Sequence, residues 1–252
     1  MSLLRGALRR FTLKLLLLQI ALGVTVCLLA TLWLRLPDAS VLQVAVSLIL
    51  GILVVAIATG GQSWIALWLA RKERTRRRLL LGAASIIVAV LLGCLLSQWI
   101  TSLHAGDPQR ASYLNSRFPH GLRSFFTYNH IYQWLGWLWT LLTWIAAGLL
   151  AAVSYAVTIG RPRAVLRTLA SLTWWVGLVL LCVLATTVTG KMMDWKPGHG
   201  LSVELFSLLA RLGFVVILDG AVISLVLAIL AQTQAMPDGT PEPSQARTEV
   251  IP

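Results

Sequence analysis

One carboxylate, Asp219, interrupts a long apolar run, in Val216-Ile217-Leu218-Asp219-Gly220-Ala221-Val222. An aspartate placed near a bilayer centre costs about 2.5–3.5 kcal/mol on insertion scales, so such residues recur where an ion or proton binds, or where helices meet. Arg211 lies eight residues earlier, about 12 Å along a helix and too far for direct pairing. It is near enough to the run's outer end to snorkel to headgroups, the alternative being an anion contact in a cavity. Gln62 belongs to a third polar interruption, Thr59-Gly60-Gly61-Gln62-Ser63. Paired glycines weaken a helix, and the flanking hydroxyls and amide could satisfy freed backbone groups, as at transporter binding sites; a kink or a close helix crossing is the simpler reading.

A second group of chemical side chains falls between His104 and His130: His104, Asp107, Arg110, Arg117, His120, Arg123, Tyr128, Asn129 and His130. Histidines and acids at one membrane face permit acid–base work or a metal or haem site. None of the spacings is that of HExxH, CxxCH or a zinc knuckle. The mixture of Phe118, Phe125 and Phe126 with Arg117 and Arg123 predicts a short interfacial helix near 117–126, its arginines on headgroup phosphates. His104, His130, Arg117 and Arg123 are the candidates for headgroup or substrate contact. There is no GxSxG, P-loop, paired-carboxylate cluster or dinucleotide fingerprint, and nothing calls for a cofactor.

The elements that carry these residues follow from hydropathy. Of 252 residues, 58% are hydrophobic and 12% charged, about half the charge of a soluble chain. Six continuous apolar stretches, about 15–34, 41–70, 79–103, 131–160, 168–190 and 203–231, each exceed the length needed to span a bilayer. Continuous rather than alternating runs exclude a barrel. The fold class is therefore an all-α polytopic bundle of about six transmembrane helices. Two stretches hold about 30 residues, or roughly 45 Å of helix, and must tilt, project or break.

Orientation comes from lysine and arginine. Arg5, Arg9, Arg10 and Lys14 precede the first helix, six basic residues lie between Arg71 and Arg78, and Arg161, Arg163 and Arg167 follow the fourth. The other side holds Arg35, Arg110, Arg117, Arg123, Lys191 and Lys196. The bias predicts both termini in the cytoplasm and an inner-membrane location. Basic residues clustered between apolar runs are topology signals, so the net charge of +12 does not point to nucleic acid. The expected partners are the bilayer, its anionic headgroups, and other membrane subunits or a second copy.

Residues 1–14 place Leu4, Ala7, Leu8 and Phe11 at helical spacing opposite arginines, predicting an amphipathic interfacial segment. Gln232–Pro252, rich in proline and polar residues, is predicted to be disordered. Cys27, Cys94 and Cys182 all lie in apolar runs, so no disulfide framework is indicated. Three functional readings remain: a small permease or membrane subunit of a larger assembly, an enzyme acting at the outer face on a lipid-linked or envelope substrate, and a structural partner with Asp219 at a helix contact.

Overall fold

The computed structural model describes residues 2–37, 40–119, 121–194 and 200–235, without the side chains of Ser2, Leu3, Leu4 and Leu201. The expectations for Leu4's side chain, His120, Lys196 and the tail beyond Ala235 lie outside these residues. Among the described residues the chain is helical, with no strand: α1 (Ser2–Arg10), α2 (Leu13–Leu34), α3 (Val41–Leu69), α4 (Arg76–His104), α5 (Asp107–Arg117), α6 (Tyr128–Thr158), α7 (Ala164–Ala170), α8 (Leu172–Asp194) and α9 (Leu201–Ala235). Six of them, α2, α3, α4, α6, α8 and α9, are long and apolar enough to cross a membrane.

Helix starts are set by hydroxyl caps. Thr12, Ser40 and Thr127 accept from the backbone N–H groups of Leu15, Gln43 and His130, satisfying donors that an α-helix leaves orphaned. The ends of α3 and α6 share one device. Arg71 (φ 53°) and Gly160 (φ 72°) take the left-handed conformation, and the next residue's N–H closes a long bond, Lys72 to Leu67 O and Arg161 to Ala156 O. This helix stop normally uses glycine. At Arg71 an arginine accepts the strain.

The six long helices close into a ring. α9 packs on α2 and α8, α2 on α3, α3 on α4, α4 on α6, and α6 on α8. Both described ends of the chain meet at one face of this ring, where α1 packs along α9. We call it the terminal face, and the opposite one, which carries α5, the loop face. The core gathers toward the terminal face, where Leu15, Ile65, Ala66, Tyr155, Trp174 and Leu230 are buried. Toward the loop face the helices present apolar side chains outward: Leu28, Leu48, Ile52, Leu91 and Leu95 are each more than half exposed, a surface suited to lipid.

Close helix crossings hold the terminal half together. α3 runs unbroken through Thr59-Gly60-Gly61-Gln62-Ser63, so the glycines are not a break. Thr59 and Ser63 spend their hydroxyls on carbonyls of their own helix. Gly61 instead admits Leu22 of α2, whose Cδ1 lies 2.6 Å from where a Cβ would stand. The sequence stretch 168–190, expected as one helix, is divided at Ser171, whose extended backbone separates α7 from α8. In the predicted interfacial segment, Ala7 of α1 is buried where α1 packs along α9. Gln232–Ala235, expected in the disordered tail, instead complete the last turn of α9.

Candidate functional site

Two cavities share Tyr155 as a lining residue. The inner one, about 440 Å³, lies between α3, α4, α6 and α9. Its walls are mostly apolar, with Ala89, Gly93, Leu150 and Val226 among them, and Gln62, Ser154 and Thr158 add polar atoms. The other, about 860 Å³, is a chamber at the terminal face enclosed by α1 and the ends of α3, α6 and α9. Arg9, Arg10, Arg71, Lys72 and Arg161 line it, and no carboxylate does among the described residues. Tyr155 lines both cavities. Its side chain is a wall shared by a basic compartment and an apolar one.

Asp219 is not among the residues lining the inner cavity, but its helix position relates it to them. Side chains three, four, seven and eleven residues apart share one helix stripe. Val222, Ile223, Val226 and Leu230, at those intervals from Asp219, all line that cavity. Asp219 therefore continues the stripe one turn nearer the loop face. Its side chain is exposed, outside the packed core, and no hydrogen bond or salt bridge to it is present among the described residues. Arg211 is half-buried and donates through Nε to Ser207 O at 3.2 Å.

Gln62 pairs with Gln19 of α2. Each amide donates to the other's oxygen, at 3.1 and 2.9 Å, and Gln19 is only 3% exposed. A reciprocal amide pair satisfies both groups inside an apolar bundle. Removing one partner strands the other. We expect Gln62→Leu to cost about 1–2 kcal/mol and Gln19→Leu with Gln62→Leu to recover most of it. Denaturation of wild type, Gln62→Leu, Gln19→Leu and the double variant in one detergent checks this, and additive losses would contradict it.

At the loop face the sequence candidates separate. His104 Nδ1 lies 2.6 Å from Asp107 Oδ2, and its ring stacks on Tyr132. The same Oδ2 accepts from Trp139 Nε1 at 2.7 Å, while Oδ1 accepts from Arg110 at 2.9 Å. Asp107 is fully buried. This cluster borders a groove of about 600 Å³ lined by His104, Gln133, Thr140, Thr143, Thr186 and Thr187. His130 stands apart, its Nδ1 2.9 Å from Phe125 O.

The predicted helix near 117–126 lies elsewhere. The helix is α5, Asp107–Arg117, and the following segment is a set of turns pinned by Phe118 stacked on Phe126 and Phe126 edge-on to Trp134. Arg123 turns back on its own loop. It donates to Ser116 O and Phe118 O, carbonyls that the end of α5 leaves without helical partners. Arg117 lies over the Tyr113 ring, 5.2 Å from its centroid. Among the described residues no three His, Cys, Asp or Glu side chains converge as a metal site.

Known protein families, curated proteins and solved structures yield no match to this chain. The functional reading therefore rests on geometry. Sequence reasoning passed over Asp107 as one loop residue among many; its three-residue spacing from His104 and Arg110 was the available signal. Tyr155 and Gln234 gave none, because each looks like ordinary helix-end composition.

Proposed function

We propose that this chain is a multi-pass inner-membrane protein, a small permease or the membrane subunit of a larger assembly, that takes an amphiphilic anion into its helix ring. One observation carries the reading: a basic chamber and an apolar cavity share Tyr155 as a lining residue. Charge in the chamber suits a polar head, and the cavity suits an apolar tail. Asp219, on the stripe beyond the cavity, is the ionisable group at the far end of the same interior. The basic bias of the terminal face argues for a cytoplasmic opening.

Filling the cavity tests this reading. A Cβ on Gly93 would meet nothing nearer than Leu150 Cδ1 at 3.7 Å, so Gly93→Phe can enter the cavity without disturbing a tight crossing. With dansyl-amino-undecanoic acid as the probe, wild type should bind and blue-shift the dye. Gly93→Phe should bind at least about tenfold more weakly, a loss of about 1.4 kcal/mol, at an unchanged melting temperature. Equal binding by the two proteins would remove the cavity from the account.

A second reading has its own observation. Asp107 holds the Nδ1 side of His104, which leaves Nε2 as the nitrogen available to the threonine-lined groove. A carboxylate-oriented histidine is a general-base arrangement, so an enzyme acting at the loop face on a lipid-linked or envelope substrate is the alternative.

A further inference from the structure

Two buried polar atoms beside the terminal-face chamber lack a partner among the described residues. Tyr155 is 3% exposed and Gln234 1%, both line the chamber, and among the described residues neither the Tyr155 hydroxyl nor Gln234 Oε1 has a hydrogen bond. Buried polar groups are nearly always satisfied, and each exception calls for an explanation. The orientation of the Gln234 amide is fixed by its surroundings. Its Nε2 donates to Ala152 O at 3.3 Å and Thr168 Oγ1 at 3.2 Å. A flipped amide would set two acceptors, Oε1 and the Ala152 carbonyl, against each other. Gln234 Oε1 thus waits for a donor, and the Tyr155 hydroxyl can donate or accept.

The cations around these atoms are placed by the fold. Arg71 and Lys72 sit on the left-handed stop of α3, and Arg161 on the matching stop of α6. Arg10 is tied across to α9 through Nε to Gln232 Oε1 at 2.9 Å. Cations at helix C-termini offset the helix dipole, which accounts for basic residues there in general. It does not account for an arginine at Arg71, where glycine would relieve the strain, nor for two unsatisfied polar atoms beneath. Clustered guanidinium and ammonium groups recognise phosphate oxygens.

Resting on the reading above, we propose that the chamber binds a phosphate ester whose head also carries a hydroxyl or ammonium donor. The phosphate oxygens face Arg71, Lys72, Arg161 and the Tyr155 hydroxyl, and the donor reaches Gln234 Oε1. Both a phospholipid headgroup and a soluble phosphate ester have this chemistry. The donor requirement separates it from simple anion attraction, which any phosphate would satisfy.

The test uses the full chain in detergent, so that the tail acids Asp238, Glu242 and Glu249 are present, with three probes titrated in parallel. These are glycerol phosphate, dihexanoyl phosphatidylethanolamine and dihexanoyl phosphatidylcholine. The last two are both zwitterionic and differ in the N–H donor. Phosphatidylethanolamine should bind at least about tenfold more tightly than phosphatidylcholine. Lys72→Gln with Arg161→Gln should weaken every phosphate probe by a similar factor, at two exposed or half-exposed positions that leave folding intact. Tyr155→Phe should lower affinity with the melting temperature unchanged or raised, since the hydroxyl it deletes is unpartnered. Gln234→Met should abolish the preference between the two lipids; if it fails to fold, Tyr155→Phe still decides.

Glycerol phosphate binding as tightly as the lipid would uphold the chamber chemistry, identify a soluble source, and sink the apolar-tail reading instead. Dansyl-amino-undecanoic acid binding while all three phosphate probes fail would overturn the inference and leave that reading standing. Equal affinity for the two lipids in wild type, with Tyr155→Phe silent, would also overturn it.

Discussion

Replacing Asp107 by leucine should release α5 from the bundle, with amide protection across Asp107–Arg117 falling by an order of magnitude or more. The buried carboxylate accepts from Trp139 Nε1 and Arg110 and holds His104. Arg110 and His104 are 44% and 40% exposed at their side chains, so solvent screens their share. Most of the loss comes from Trp139, whose N–H would face an apolar side chain. A hydrogen bond to a charged group contributes about 1.5–3 kcal/mol, and we expect a total near the top of that range. Asp107→Asn keeps one acceptor and should lose about half as much. Hydrogen exchange read by mass spectrometry checks both, and protection unchanged in the leucine variant would show that α5 is held by its apolar contacts alone.

Gly82→Val should be the most damaging single change at the terminal half. A Cβ at Gly82 would stand 2.7 Å from Ser63 Oγ and 2.9 Å from Thr158 Cγ2 and Oγ1. Both neighbours are short, buried, and bonded to carbonyls of their own helices, so neither can yield without moving backbone. Overpacking of this kind costs about 1–3 kcal/mol, and the upper end is expected here because α3, α4 and α6 all meet at the point. Gly61→Ala is the control. Its obstacle is the tip of Leu22, which can rotate away, and its loss should be well under half. A melting series on wild type and both variants decides the order, and equal losses would contradict this description of the crossing.

Much of the architecture was legible because lipid imposes a simple code. Twenty apolar residues in a row have few structural options, and the six spanning helices follow from that alone. The departures arose where local chemistry competes with hydropathy. Ser171 breaks the α7–α8 run with neither proline nor glycine to announce it, through a carbonyl bond from Trp175 Nε1 to Leu169. The glycine pair in α3 reads equally as a hinge or a contact, and only the approach of Leu22 distinguishes them. Asp219 was visible as an anomaly in its helix. Its position one turn beyond a cavity-lining stripe was not, because the stripe acquires meaning only when α3, α4 and α6 are set opposite it. Tyr155 and Gln234 were illegible for a related reason: an unsatisfied buried atom is a property of the assembled fold, not of a residue type.

On the proposed reading the ring interior is a ligand path, and Asp219 faces it rather than lipid. With Cys27, Cys94 and Cys182 replaced by alanine, Asp219→Cys and Ile217→Cys place one thiol each at nearly the same depth. Ile217 is exposed and lies about 160° around the helix from Asp219, at 100° per residue. A small charged methanethiosulfonate reagent reacts only with thiols that water reaches. The account predicts modification of the Asp219→Cys protein at least about tenfold faster than of the Ile217→Cys protein, since water reaches an interior stripe and not a lipid-facing one. Equal and slow modification at both positions would put residue 219 against lipid and contradict the claim.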